Sequence, residues 1–231
     1  MLQAFRGTGL NRLPEILLIS ATRDLTFLYA MADALPPRRL ILASSSRYRR
    51  ELLERLRVPF EVVVPGSDET PLAGETPART AERLAQTKAR DVARNAPDAL
   101  IIGSDQVATI DGQQLGKPGN HAAALLQLQT MRGRTVEFHS ALCLFDARTG
   151  IARSTDVITQ VRFRNLPDAA LQTYLHAEQP YDVAGSAKSE GLGIALLEAV
   201  HSDDPTALVG LPLIALTGML IEAGYPLFAP S

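Results

Sequence analysis

This 231-residue chain has a single cysteine, Cys143, inside the apolar run ALCLF. A lone thiol excludes an internal disulfide framework, reads as a small core hydrophobe and fits a reducing, cytoplasmic compartment. No run approaches the ~20 apolar residues of a membrane-spanning helix, so no membrane partner is expected. The net charge is −2, too little of either sign to hold a nucleic acid polymer, and any anion site must be local. His121, His139, His176 and His201 are scattered, none at zinc-ligand spacing from another donor. A G-x-S-x-G nucleophile elbow is missing, and so is the G-x-x-x-x-G-K-[ST] phosphate loop. There are no internal repeats and no low-complexity linker.

What is present is an ordinary globular composition, 46% apolar and 21% charged, and a pattern of short elements. Leu40–Ala43 reads as a buried strand, and Ser46 as the cap of a helix running to about Arg57. Phe60–Val64 is strand-like, and Pro65–Pro71 is a loop. Thr76-Pro77 opens a second helix to about Arg94. Ala99–Ile102 reads as a buried strand ending at Gly103-Ser104-Asp105. Val107–Ile110, Asp111-Gly112 and Gln113–Leu115 form a hairpin. Asn120 caps a helix to Arg132-Gly133. Two longer strands, Thr135–Phe145 and Ile151–Phe163, precede a helix near Pro167–Glu178. A glycine-rich loop, Gly185–Gly193, follows, and the last helix is Pro212–Ala223. Strands and helices without strict alternation predict an α/β fold, a mixed sheet with two lobes around a cleft. Residues 1–37 are expected to be a poorly ordered extension, residues 1–30 of it an appendage or an over-long start. Residues 38–231 are expected to be the domain.

The polar residues gather where strands end. In LILASSSRYRR, residues 40–50, hydroxyls and arginines follow an apolar strand. A helix N-terminus presents free N–H groups and the positive end of a dipole. The stretch is either a phosphate socket or a capped, solvated turn. Arg49 shares a helix face with Leu52 and Leu53 and should point inward, whereas Arg50 pairs at i,i+4 with Glu54 and faces water. Lys88 falls in the apolar stripe Ala81, Leu84, Ala85, Val92, so it either snorkels or reaches an anion in a cleft. Asp105 and Glu69 each follow a strand. A carboxylate there suits a turn, a general base or a divalent metal, and the two together can hold one Mg²⁺. Lys117, in Gly116-Lys117-Pro118, adds a cation. Hydroxyls, arginine, two lysines and two carboxylates suit a metal-bound polyphosphate.

The segments LILASSSRYRRELL, DET, AQTKA, IIGSDQV, GKP, YDVAGSAKSEGLG and GLPL occur in this order between Arg39 and Phe228. Together they resemble the Maf family of nucleoside triphosphate pyrophosphatases. The resemblance implies an elongated, inosine triphosphate pyrophosphatase-like fold, a homodimer and a divalent cation, Mg²⁺ or Mn²⁺. It implies cleavage between the α- and β-phosphates of a nucleoside triphosphate. It makes Ser44, Ser46 and Arg49 a phosphate-binding turn, and Glu69, Lys88, Asp105 and Lys117 the charged cleft. Asp105 is then the proton acceptor, with metal binding open beside that role. Arg47 departs from the pattern, which usually has Pro there. Tyr48, Gln106 and Glu190 resemble the family branch acting on 7-methyl-GTP more than the branch acting on dTTP and UTP. A cationic 7-methylguanine ring is attracted to an aromatic face, and Glu190 would accept hydrogen bonds from its edge. The sister-branch activity on dTTP, UTP or CTP is one alternative. A nucleotide-binding regulatory protein with little turnover is the other.

Overall fold

The computed structural model describes residues 38–70 and 72–228. The expected extension at residues 1–37 lies outside the described residues. Among those described, no helix is long and apolar enough to cross a membrane.

The elements are β1 (Leu40–Ala43), α1 (Arg47–Glu54), β2 (Glu61–Val63), α2 (Pro77–Ala93), β3 (Leu100–Ile110), β4 (Gln113–Leu115), α3 (His121–Met131), β5 (Thr135–Asp146), β6 (Ile151–Phe163), α4 (Asp168–Glu178), β7 (Leu197–His201) and α5 (Leu213–Glu222). Seven strands form one mixed sheet in the order β2-β1-β3-β5-β6-β7, with β4 paired to β3. Strands β2, β1 and β3 run parallel, while β3, β5, β6 and β7 pair antiparallel.

Three apolar clusters divide the molecule. Leu42, Leu52, Ile102, Leu144 and Leu216 fill one face of the sheet's β1 end, and Ile41, Ala85, Ala89, Ile101 and Cys143 fill the other face, under α2. Ala108, Leu128, Phe138, Leu171 and Leu196 form a separate core towards α3 and α4. The long strands β3 and β5 run through both regions, so the lobes share one sheet and the cleft lies between them. Cys143 is fully buried, and burial pushes its thiol pKa up.

The caps sit where the sequence puts them. Ser46, Thr76 and Asn120 accept from backbone N–H groups of the first turns of α1, α2 and α3. Asp111 and Gly112 take positive φ at the β3–β4 hairpin. The first helix stops at Glu54 rather than Arg57, because Arg57 is left-handed (φ 54°) and Val58 precedes a proline.

Two further features depart from the sequence reading. Strand β7 has no forecast in its sequence LEAVH, and it pairs β6 across a register shift at Arg162/Phe163. Strand β3 does not end at Ile102 but continues to Ile110, so Asp105 sits within a strand rather than beyond one. It continues because β5 pairs with it from Leu100 to Thr109. On its other side, β1 reaches only to Gly103 and β4 begins at Ala108. Residues 104–107 therefore border a gap between those two strands, and the cleft opens there.

Candidate active site

Close packing brings α2 to the gap. A Cβ on Gly103 would stand 2.1 Å from the Ala85 carbonyl, so only glycine admits the helix this close. One turn further along α2, Lys88 is buried against β3. It does not snorkel. Its Nζ donates to Asp105 Oδ1 at 2.7 Å and lies 2.8 Å from Glu69 Oε1. Glu69 comes from the loop after β2 and is about half exposed, with 54% of its side chain accessible, whereas Asp105 is buried. Burial pushes the Glu69 carboxyl up. Lys88, with Lys117 and Arg49 behind it, more than offsets that and leaves its pKa below the ordinary value.

The turn after β1 is both a cap and a socket wall. Ser46 Oγ accepts the Arg49 N–H, and Ser44 Oγ accepts the Ser46 N–H at 3.1 Å. Arg49 points inward, as its spacing predicts. Its Nε donates to the Gly210 carbonyl at 2.8 Å, and Nη1 lies 3.5 Å from Ser44 Oγ. Burial pulls its pKa down, against the opposing pull of Asp105 and Glu69. Arg50 pairs with Glu54 at 3.0 Å on the surface.

These groups border a cavity of about 500 Å³. Ser44, Ser46, Arg49, Glu69, Lys88 and Asp105 line one side. Lys117, Asp182, Val183 and Ala184 line the other, and Tyr48 and Gln106 complete it. Tyr48 carries the Arg47 guanidinium 4.8 Å from its ring centre, and its hydroxyl accepts from Arg47 Nη2 at 3.2 Å. Gln106 Nε2 donates to Ser140 Oγ (2.9 Å) and to the carbonyls of Ala207 and Leu208 (3.0 Å each). Carbonyls only accept, so the amide orientation is fixed and its oxygen is the end left for a ligand. Glu190 is exposed, bonds weakly with the neighbouring Ser189 (3.5 Å) and is not among the cavity-lining residues.

Sequence reasoning missed several parts. The 204–212 segment supplies the floor through backbone carbonyls. Gly210 accepts from both Arg49 and Ser104, and Ala207 from both Gln106 and Ser140. The buried Asp204 carboxylate holds this segment by accepting from Ile214 and Ala215 at the start of α5. Main-chain acceptors carry no residue signature, so nothing in the letters marks them. Asp182 does carry one, in YDVAG beside the glycine-rich loop.

A metal fits this donor set only with help from a ligand. Glu69 and Asp105 both reach one ammonium, so both face one point. Among the described residues, no group of three His, Cys, Asp or Glu side chains could hold a metal ion. Mg²⁺ commonly takes one or two carboxylates and completes its shell with water and substrate phosphates.

A partly parallel sheet, a serine-rich turn at a helix N-terminus and paired carboxylates within reach of a buried lysine border one cavity. The family model described as Maf-like protein matches residues 39–223, and the chain belongs to the Maf family. It is 73% identical over 201 residues to the 7-methyl-GTP pyrophosphatase of Paraburkholderia xenovorans, covering 85% of this chain and 98% of that one. It is 70% identical over 194 residues to the protein of the same name from Ralstonia nicotianae, covering 84% and 99%. Among solved structures, the Staphylococcus aureus Ham1 protein overlaps 55% of this chain and 73% of its own at 13% identity and a TM-score of 0.40.

Proposed function

We propose that the protein hydrolyses the α–β phosphoanhydride of 7-methyl-GTP, releasing 7-methyl-GMP and pyrophosphate. The observation that carries this reading is the Lys88 bridge between Asp105 and Glu69, set beside Arg49 in a cleft that also takes Lys117. The names of the relatives given above support it.

The residues divide the work. Ser44, Ser46 and the α1 N-terminus face the phosphates with donors, and Arg49 and Lys117 add charge. Lys88 neutralises the carboxylates that would otherwise repel a polyanion. Asp105, held by Lys88, takes the proton of the water that attacks the α-phosphorus, and pyrophosphate leaves. Four cations, Arg47, Arg49, Lys88 and Lys117, stand against three carboxylates, Glu69, Asp105 and Asp182. A triphosphate carries more negative charge than that surplus balances. Mg²⁺ or Mn²⁺, held by Glu69 and Asp105, would supply the remaining charge neutralisation when bound. Tyr48 offers its ring to the cationic base, and Gln106 offers a carbonyl oxygen to an N–H on the base edge.

The test is pyrophosphate release from a nucleotide panel with Mg²⁺ or Mn²⁺. The expected result is fastest release from 7-methyl-GTP. Fastest release from dTTP, UTP or CTP would move the protein to the sister activity. Tight binding with no release from any triphosphate would make it a nucleotide-responsive regulator.

A further inference from the structure

Lys117 lies on the short link between β4 and α3, a segment with no regular structure of its own. Both flanks of that link are tied to the 181–186 segment on the same side of the cleft. Before Lys117, the Gly116 carbonyl accepts from Gln127 Nε2 at 2.9 Å. After it, the Gly119 N–H donates to the Tyr181 carbonyl at 3.0 Å. The first tie passes through a side chain. Gln127 stands on α3 and its Oε1 accepts from Ser186 Oγ at 2.6 Å. Since the Gly116 carbonyl only accepts, the amide can take only this orientation.

Ser186 is unusual in its own right. It is fully buried, yet it holds a left-handed backbone, φ 53°, directly after the left-handed Gly185. A Cβ on Gly185 would stand 3.2 Å from Phe138 Cζ, so the turn is seated tightly on β5. A buried serine in that conformation persists only when its surroundings over-determine it. The Gln127 bond is what the serine gains there.

We propose that Gln127 is a positioning residue that fixes the Lys117 ammonium in the phosphate cleft, by locking the Lys117 link to the strained Ser186 turn. The inference rests on the phosphate-cleft reading given above. It assigns the link a defined geometry from one amide, and it explains why a serine occupies a backbone conformation that glycine takes more readily. Loss of the amide frees the link, so the ammonium must be ordered at each binding event.

Pyrophosphate itself is the probe, because it reports the cation without the base or the chemical step. Affinity is measured by calorimetry with Mg²⁺ for the natural chain, Gln127→Leu, Lys117→Ala and the double variant. Gln127→Leu should weaken pyrophosphate binding about three- to tenfold, the range of one net hydrogen bond. In the Lys117→Ala background the same change should do less than about twofold, because the two residues act as one unit. Equal effects in both backgrounds would overturn the proposal, since a merely structural glutamine acts regardless of Lys117. Absence of pyrophosphate binding by the natural chain would overturn it too. Should Gln127→Leu lose its cooperative melt, Ser186→Gly suits the left-handed backbone, removes the hydroxyl that holds Gln127 and adds no charge, and it must show the same coupling. Hydrolysis of 7-methyl-GTP by the natural chain is read on the same preparation. Coupling without hydrolysis would leave Gln127 as assigned and remove the functional reading, and hydrolysis without coupling would do the reverse.

Discussion

The two sides of the cleft are built on different principles. On the β1–α2 side Lys88, Asp105 and Arg49 are each held by other parts of the fold. Lys88 is buried between Asp105 and Glu69, and Arg49 is held by the Gly210 carbonyl. On the opposite side Lys117 and Asp182 are exposed and stand on segments without regular structure. The first side has its charges ordered before any ligand arrives, which is what electrostatic stabilisation of a transition state requires. The second is a loop wall, anchored at the backbone beside Lys117 by Gln127 and Tyr181 rather than by partners on the charged groups themselves.

The sharpest way to break that comparison is to disarm the fixed side. Asp105→Asn keeps the shape and a hydrogen-bond acceptor for Lys88 but removes the base. Turnover should fall by about 10²–10⁴, the usual worth of a positioned general base, while nucleotide affinity changes far less. Steady-state rates with calorimetric affinities check this. A variant with near-normal turnover would take Asp105 out of the chemistry.

A second variant separates chemistry from folding. Lys88→Met retains the apolar stem and leaves Asp105 buried without its cation. Removing one partner of such a pair costs about 3 kcal/mol or more, read as a lower denaturation midpoint in urea. The pH dependence has a defined sign. The Glu69 pKa is lowered in the folded chain, so its contribution is complete above the ordinary glutamate range and is lost as pH falls through the lowered value. Lys88→Met should remove that acid-side share, and the difference between the two stability profiles should shrink on acidification.

How much of this was written in the letters follows the same division. Lys88 stood out because a cation fell in an apolar helical stripe, and Arg49 because its spacing from Leu52 and Leu53 turned it inward. Helix periodicity carries both, and the fold obeys it. The letters put Asp105 just past a strand, because Gly-Ser-Asp reads as turn chemistry, whereas it lies within β3. Tertiary partners overrode that reading. Gly103 lies under α2, Ser104 donates to Gly210, Asp105 meets Lys88, and Gln106 donates to the 207–208 carbonyls. Each polar letter is satisfied, so the strand need not stop. Strand β7 escaped notice because it is short and its pairing skips Glu198, an irregularity that no alternation in LEAVH announces. The Gly210 and Ala207 acceptors escaped for a simpler reason, since a main-chain carbonyl looks the same under every side chain.

The smallest expected effects probe the base-facing residue Tyr48 and the limits of the loop wall. Tyr48 lines the cavity and already holds a cation, Arg47, beside its ring. A cationic base competes for the same aromatic surface, so Tyr48→Ala should raise KM for 7-methyl-GTP about 2- to 30-fold, the span of a cation–π contact. The KM for GTP, whose base is neutral, should move less. Glu190, in contrast, lies outside the cavity lining and bonds only with the adjacent Ser189 among the contacts described. Glu190→Gln should change the preference for 7-methyl-GTP over GTP by less than Tyr48→Ala does. Competition kinetics with the two nucleotides in one vessel measures both variants directly. If Glu190→Gln had the larger effect, the glycine-rich loop would have to close on the bound base. The loop wall would then extend past Asp182 and Lys117 to a carboxylate that stands outside the cavity lining.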